Sequence, residues 1–180
     1  MGGTAAHKAA MKFLLALALV TTSALAAESS TTPAAAFAAI KKLQGDWRGP
    51  AMAKGMPPAH SVFRVTAGGS AVQEMIFPGS KMEMVSYYHM DKGNLLMTHY
   101  CMLGNQPRMK LNARKSTARE LVFDFDGGTN LNPRTDVHMH SLRMTLPAPA
   151  KAGPQKLRTD GTSWEGGKLK SDCGATLTRR

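Results

Sequence analysis

Three short runs, residues 81–90, 95–103 and 108–114, carry the tyrosine, histidine and arginine side chains best suited to hold a small polar group, by donating hydrogen bonds or supplying charge. In extended chain, residues two apart point the same way. With Lys92-Gly93 as a two-residue turn, Tyr88 falls opposite Met97 and Ser86 opposite His99, so Met84, Ser86, Tyr88, Met97, His99 and Cys101 share one face. With Gly104-Asn105 as the next such turn, Cys101 faces Arg108 and His99 faces Lys110. The expected product is a patch of Tyr88, His99, Cys101 and Arg108 on three neighbouring strands, where Arg108 and His99 would hold an anionic group of a ligand. The other face carries Val85, Tyr87, Leu96, Thr98, Tyr100, Met102, Met109 and Leu111. Placing this more apolar face in the core is the simpler arrangement and leaves His99, Arg108 and Lys110 in solvent. Placing the polar patch inside makes it the lining of a cavity.

Other constellations have weaker chemistry. His138 and His140 stand at i and i+2 beside Leu142, Met144 and Leu146, a spacing that chelates zinc or copper if a third ligand arrives from a neighbouring strand. No third ligand is evident, and two half-buried strand histidines are the simpler reading. Met82, Met84, Met90 and Met97 surround His89 and His99, a soft set suited to Cu(I), although methionine more commonly fills irregular core space. Asp124 and Asp126, beside Gly127-Gly128, are spaced for acid/base work and equally for capping a turn, the reading preferred here. There is no Gly-x-Ser-x-Gly elbow, no His-Glu-x-x-His and no phosphate-cradling glycine loop, which points away from an enzyme.

Strands must position these residues. Short runs rich in Val, Phe, Tyr, Thr and Met, punctuated by Gly, Asn, Asp and Pro, predict about ten. They are Asp46 to Met52, His60 to Thr66, Ser70 to Phe77, Lys81 to Met90, Leu95 to Leu103, Arg108 to Arg114, Glu120 to Asp126, Thr135 to Leu146, Ser163 to Leu169 and Ala175 to Arg179. Turn signals at Ala67-Gly68-Gly69, Pro78-Gly79, Lys92-Gly93, Gly104-Asn105 and Gly166-Gly167 are short enough to make sequential strands antiparallel neighbours. Such a meander closes on itself into an all-β up-and-down barrel, since closure removes exposed edges. Longer connections are expected around Gly127 to Pro133 and Pro147 to Pro154, and a short helix over Ala34 to Leu43. A ten-stranded barrel is on the order of 20 Å across, so Cys101 and Cys173, nearly opposite each other, are predicted to stay unpaired.

The chain's beginning reads as an export signal. Phe13 to Val20 is apolar, follows Lys8 and Lys12, and precedes Ala24-Leu25-Ala26, a small-x-small cleavage pattern. Cleavage after Ala26 or Ala27 is expected, with Met11 an alternative start. The apolar run is shorter than a bilayer span, and no cysteine follows to take a lipid anchor. The expected divisions are a signal peptide over 1–27, a tether and short helix over 28–43, and one barrel domain over 44–180. Removing residues 1–26 takes two lysines and no acid, so the formal charge falls from +11 to +9, with 21 basic against 12 acidic residues. That surplus suits an anionic surface, but the charges are scattered and form no arm, and export disfavours nucleic acid.

Leu43-Gln44-Gly45-Asp46-Trp47-Arg48-Gly49, following the short helix and opening the first strand, resembles the Gly-x-Trp opening of calycin (lipocalin-like) barrels. The resemblance implies that Trp47 plugs the closed end of the barrel and stacks against Arg179 or Arg180 from the last strand. It is nearest to ten-stranded bacterial barrels that include haem-binding nitrobindin-like proteins, whose late-strand histidine ligates iron. His138 and His140 stand on the matching strand, so haem is a cofactor the resemblance raises. The leading expectation is an exported, non-enzymatic barrel that binds a small apolar or amphipathic ligand through Tyr88, His99 and Arg108. The alternatives are haem, copper or zinc at His138 and His140, and a structural or anionic-surface-binding module.

Overall fold

The computed structural model describes residues 1–3, 30–149 and 153–180. Apart from residues 1–3, the expected signal peptide therefore lies outside the described residues. Thr32 starts the first element: its hydroxyl accepts from the Ala35 backbone N–H at 3.2 Å, and Pro33, which has no N–H to leave unpaired, opens the helix α1 (Pro33–Lys41). Phe37 and Ile40 are buried on its inner side.

Ten strands follow: β1 (Gly45–Ala51), β2 (Pro58–Thr66), β3 (Ala71–Ile76), β4 (Met84–Asp91), β5 (Asn94–Tyr100), β6 (Gln106–Leu111), β7 (Glu120–Thr129), β8 (His138–Thr145), β9 (Lys156–Glu165) and β10 (Lys168–Arg179). Each pairs antiparallel with its chain neighbours, and β1 pairs with β10, closing an up-and-down barrel. Two boundaries differ materially from expectation. Ser163 to Leu169, expected as one strand, is the tip of a hairpin, because Gly166 and Gly167 take φ of 59° and 75° and reverse the chain between β9 and β10. Gly127 to Thr129, expected as loop, extend β7.

The topology separates two ends. The β1–β2, β3–β4, β5–β6, β7–β8 and β9–β10 connections lie at one end and the intervening turns at the other. The helix α1 packs on β4 and β5 and shares a core cluster with Leu43, Trp47, Phe63 and Leu95. Among the described residues no helix is long and apolar enough to cross a membrane.

Register decides which side chains face inward, because a slip of one residue flips them all. The Lys92-Gly93 turn holds as expected, with Tyr88 opposite Met97 and Ser86 opposite His99. The next connection does not. The loop runs from Cys101 to Asn105, held by Cys101 N–H to the Asn105 carbonyl and Gly104 N–H to the Cys101 carbonyl, and it places Thr98 opposite Arg108 and Met97 opposite Met109. The expected facing of Cys101 with Arg108 and His99 with Lys110 is therefore wrong. The displacement is three residues, an odd number, so Met109 and Leu111 turn inward and Arg108 and Lys110 turn out. The core also chose the other face of β4 and β5: Ser86, Tyr88, Met97 and His99 are buried inside, whereas Tyr100 is half exposed.

Candidate ligand cavity

The inner faces of β2, β3, β4 and β5 supply a polar cluster. Glu74 lies opposite Ser86, and Ser86 opposite His99, so the three form a row straight across neighbouring strands. Glu74 is 5 % exposed; its Oε1 accepts from the Ser61 hydroxyl at 2.9 Å and its Oε2 from the Tyr88 hydroxyl at 2.7 Å. Burial pushes the Glu74 carboxyl up, against the two hydroxyls that favour its charged form. Burial, reinforced by Glu74, also pushes the Tyr88 phenol well up, so Tyr88 is a donor. His99 is 4 % exposed, with Nδ1 at 2.9 Å from the Ser86 hydroxyl, and burial lowers its pKa to about 4, leaving a neutral imidazole at pH 7.

These groups border a cavity of about 290 Å³, close to the lower size of small-molecule sites. Its walls are otherwise mainly apolar, with Met84, Met97, Leu142, Ala175 and Leu177 among them. Its rim includes Met52, Phe77, Leu103 and Val137, which belong to connections at the end away from the β4–β5 turn. Leu103, Ser171 and Cys173 line it and are themselves exposed, so the cavity reaches the surface there.

The candidate residues divide. Tyr88 and His99 line the cavity together; Arg108 does not. The Arg108 guanidinium lies outside, donating from Nε to Asp126 Oδ2 at 3.1 Å and from Nη2 to the Asp126 carbonyl at 2.8 Å. An anion held jointly by His99 and Arg108 is thereby excluded. Asp124 likewise faces Asn112 and Lys115 in a surface cluster. Glu74 went unnoticed in the sequence, although Val72-x-Glu74-x-Ile76 places an acid in the middle of an inward-facing apolar alternation, and that is a readable signal.

His138 and His140 do come together, with Nε2 of the first 3.1 Å from Nδ1 of the second. His138 is 1 % exposed and lines the cavity, but its Nδ1 also contacts the Asp136 carbonyl at 2.8 Å, so both its ring nitrogens are engaged. A bulge between Met139 and Ser141 changes the strand's alternation. His140 is instead stacked between Phe125, centroid 5.0 Å away, and Trp164, 3.9 Å away. Burial first, then the neighbouring His138, lowers the His140 pKa, opposed by Asp124. Among the described residues no group of three His, Cys, Asp or Glu is placed to hold a metal ion. Haem on this pair fits poorly: His138, which borders the cavity, has both ring nitrogens engaged, and His140, which has only Nδ1 engaged, does not border it.

At the closed end Trp47 is fully buried and donates from Nε1 to the Leu43 carbonyl at 2.6 Å. The Arg179 guanidinium carbon lies 4.6 Å from the Trp47 ring centroid, and its two terminal nitrogens donate to the Gln44 and Lys42 carbonyls at 2.7 and 2.6 Å. Arg179, and not Arg180, is thus the cation on Trp47. Gly45, at φ 132°, leaves room beside Arg179, where a Cβ would stand 3.4 Å from Nη1. Cys101 and Cys173 are unpaired, and both border the cavity. In comparisons with protein-family models, curated proteins and solved structures, the chain matches none.

Proposed function

We propose that this protein is an exported, non-enzymatic binding barrel that carries one small, mainly apolar molecule with its polar end against Tyr88 and His99, in the manner of calycin barrels. The observation that carries the reading is the surface-connected cavity, whose apolar walls meet a compact set of buried hydrogen-bonding groups on β2 to β5. Apolar walls provide affinity by removing ligand surface from water, while a few fixed polar groups orient the ligand. Export rests on residues 13–26, and the calycin assignment on Gly45-Asp46-Trp47 together with the Trp47–Arg179 stack.

Native and denatured mass spectrometry of the protein taken from its host's exported fraction tests both parts. The denatured mass is expected to place the first residue at Ala27 or Glu28. The native mass is expected to exceed it by one discrete organic ligand. Absence of the protein from that fraction refutes export, and a full-length denatured mass refutes cleavage of the signal. Equal native and denatured masses, with no uptake of an apolar fluorescent probe, refute the carrier reading.

A further inference from the structure

We infer that the ligand's polar end is a cation, an alkylammonium or comparable amine, received by Glu74. This deepens the carrier reading and rests on it. The chain has 23 Lys and Arg residues against 12 acids, yet among the described residues no lysine or arginine lines the cavity. Among the described residues Glu74 is the lone acid there. Its oxygens take one hydroxyl hydrogen bond each, from Ser61 and Tyr88, and a carboxylate has room for about four. No basic side chain pairs with it among the described residues.

Two histidines that border the cavity do not supply the missing charge. His99 is neutral at pH 7 and turned to Ser86, and His60, which also borders the cavity, gives its Nε2 to Asp46. A buried carboxylate beside an open cavity and without a counter-cation is costly, and an incoming ammonium removes that cost. Two of an ammonium's three N–H donors match the two unused lone pairs of Glu74, with His99 two strands along the same row. An alkyl carboxylate meets the reverse situation: a like charge and no cation to receive it.

Matched probes of one chain length separate the head group from the cavity. Hexylammonium, hexan-1-ol and hexanoate are titrated calorimetrically into the mature full chain at pH 7.5, and into E74Q, whose amide oxygen accepts from one of the two hydroxyls while its NH2 donates to the oxygen of the other. The expected wild-type order is hexylammonium about tenfold tighter than hexanol, with hexanoate weakest, since a charge-assisted hydrogen bond is about twice as strong as a neutral one. In E74Q the ammonium-to-alcohol ratio is expected to fall to about one. Equal binding of alcohol and ammonium in the wild type, or an ammonium preference that survives in E74Q, overturns the inference and leaves the carrier reading standing. Failure of all three probes to bind overturns both. The wild-type order decides the matter alone should E74Q not fold.

Discussion

Acid should destabilise this barrel through His99, by an amount that follows from where the imidazole sits. Its pKa is about 4 in the folded protein because burial disfavours the charged ring, against about 6.5 in the unfolded chain. A depressed folded-state value means the unfolded chain binds the proton first. The contribution is therefore fully present above pH 6.5 and lost as pH falls toward 4. At about 1.4 kcal/mol per pH unit between those two values, the loss is about 3 kcal/mol by pH 4, about 2 of it already by pH 5. Glu74 works with the opposite sign, because its raised pKa makes the folded state the better proton acceptor as pH falls. The His99 term is isolated by comparison with His99→Asn, whose side-chain amide can sit where Nδ1 does and keep the 2.9 Å contact to Ser86. Urea denaturation of both proteins from pH 7.5 to 4 reads the difference. The wild type should lose about 2 to 3 kcal/mol more than the variant over that range, even if the variant starts less stable from the lost ring volume. Parallel pH profiles would sink the claim that His99 is held neutral by burial.

Three further outcomes are expected. Arg179→Ala removes the cation over Trp47 and two carbonyl contacts, and urea denaturation should show a loss of about 2 kcal/mol, of which Arg179→Lys regains under half because an ammonium cannot fork to the Lys42 and Gln44 carbonyls; an unchanged midpoint refutes the closing role of the pair. Alkylation in denaturant without reductant should add two labels, one each at Cys101 and Cys173, and a disulfide instead would contradict the strand order. Trp164 fluorescence should fall as His140 protonates against it, with a midpoint below 6.5 that disappears in Trp164→Phe; a midpoint above 6.5 would mean that burial and His138 do not outweigh Asp124.

Much of the barrel was legible because the signals are local. Strand period, short turns and a lack of helical crossovers require nothing beyond the neighbouring residues, and the Lys92-Gly93 turn set the register of β4 on β5 correctly. The failures have a common cause. Gly104-Asn105 looks like a two-residue turn, but Asn105 Nδ2 donates to the Val137 carbonyl at 2.8 Å, a contact 32 residues away that helps fix a longer loop. One miscounted loop moved Arg108 from the expected site to the outer surface. His138 and His140 were expected to project side by side, and a bulge set by β9 gave them different surroundings.

The sequence by itself determined an all-β chain with a short leading helix, the Trp47 opening and the Tyr88–His99 face, since each depends on residue type and spacing along one or two adjacent strands. Only the tertiary structure decided that this polar face is the inner one, that Glu74 completes it and that no lysine or arginine among the described residues lines the cavity. Both faces of β4 and β5 are mixed enough to be buried. The choice between them was made by closure of all ten strands, which brings Ser61, Glu74 and Tyr88 within hydrogen-bonding distance and so makes burial of their polar atoms tolerable.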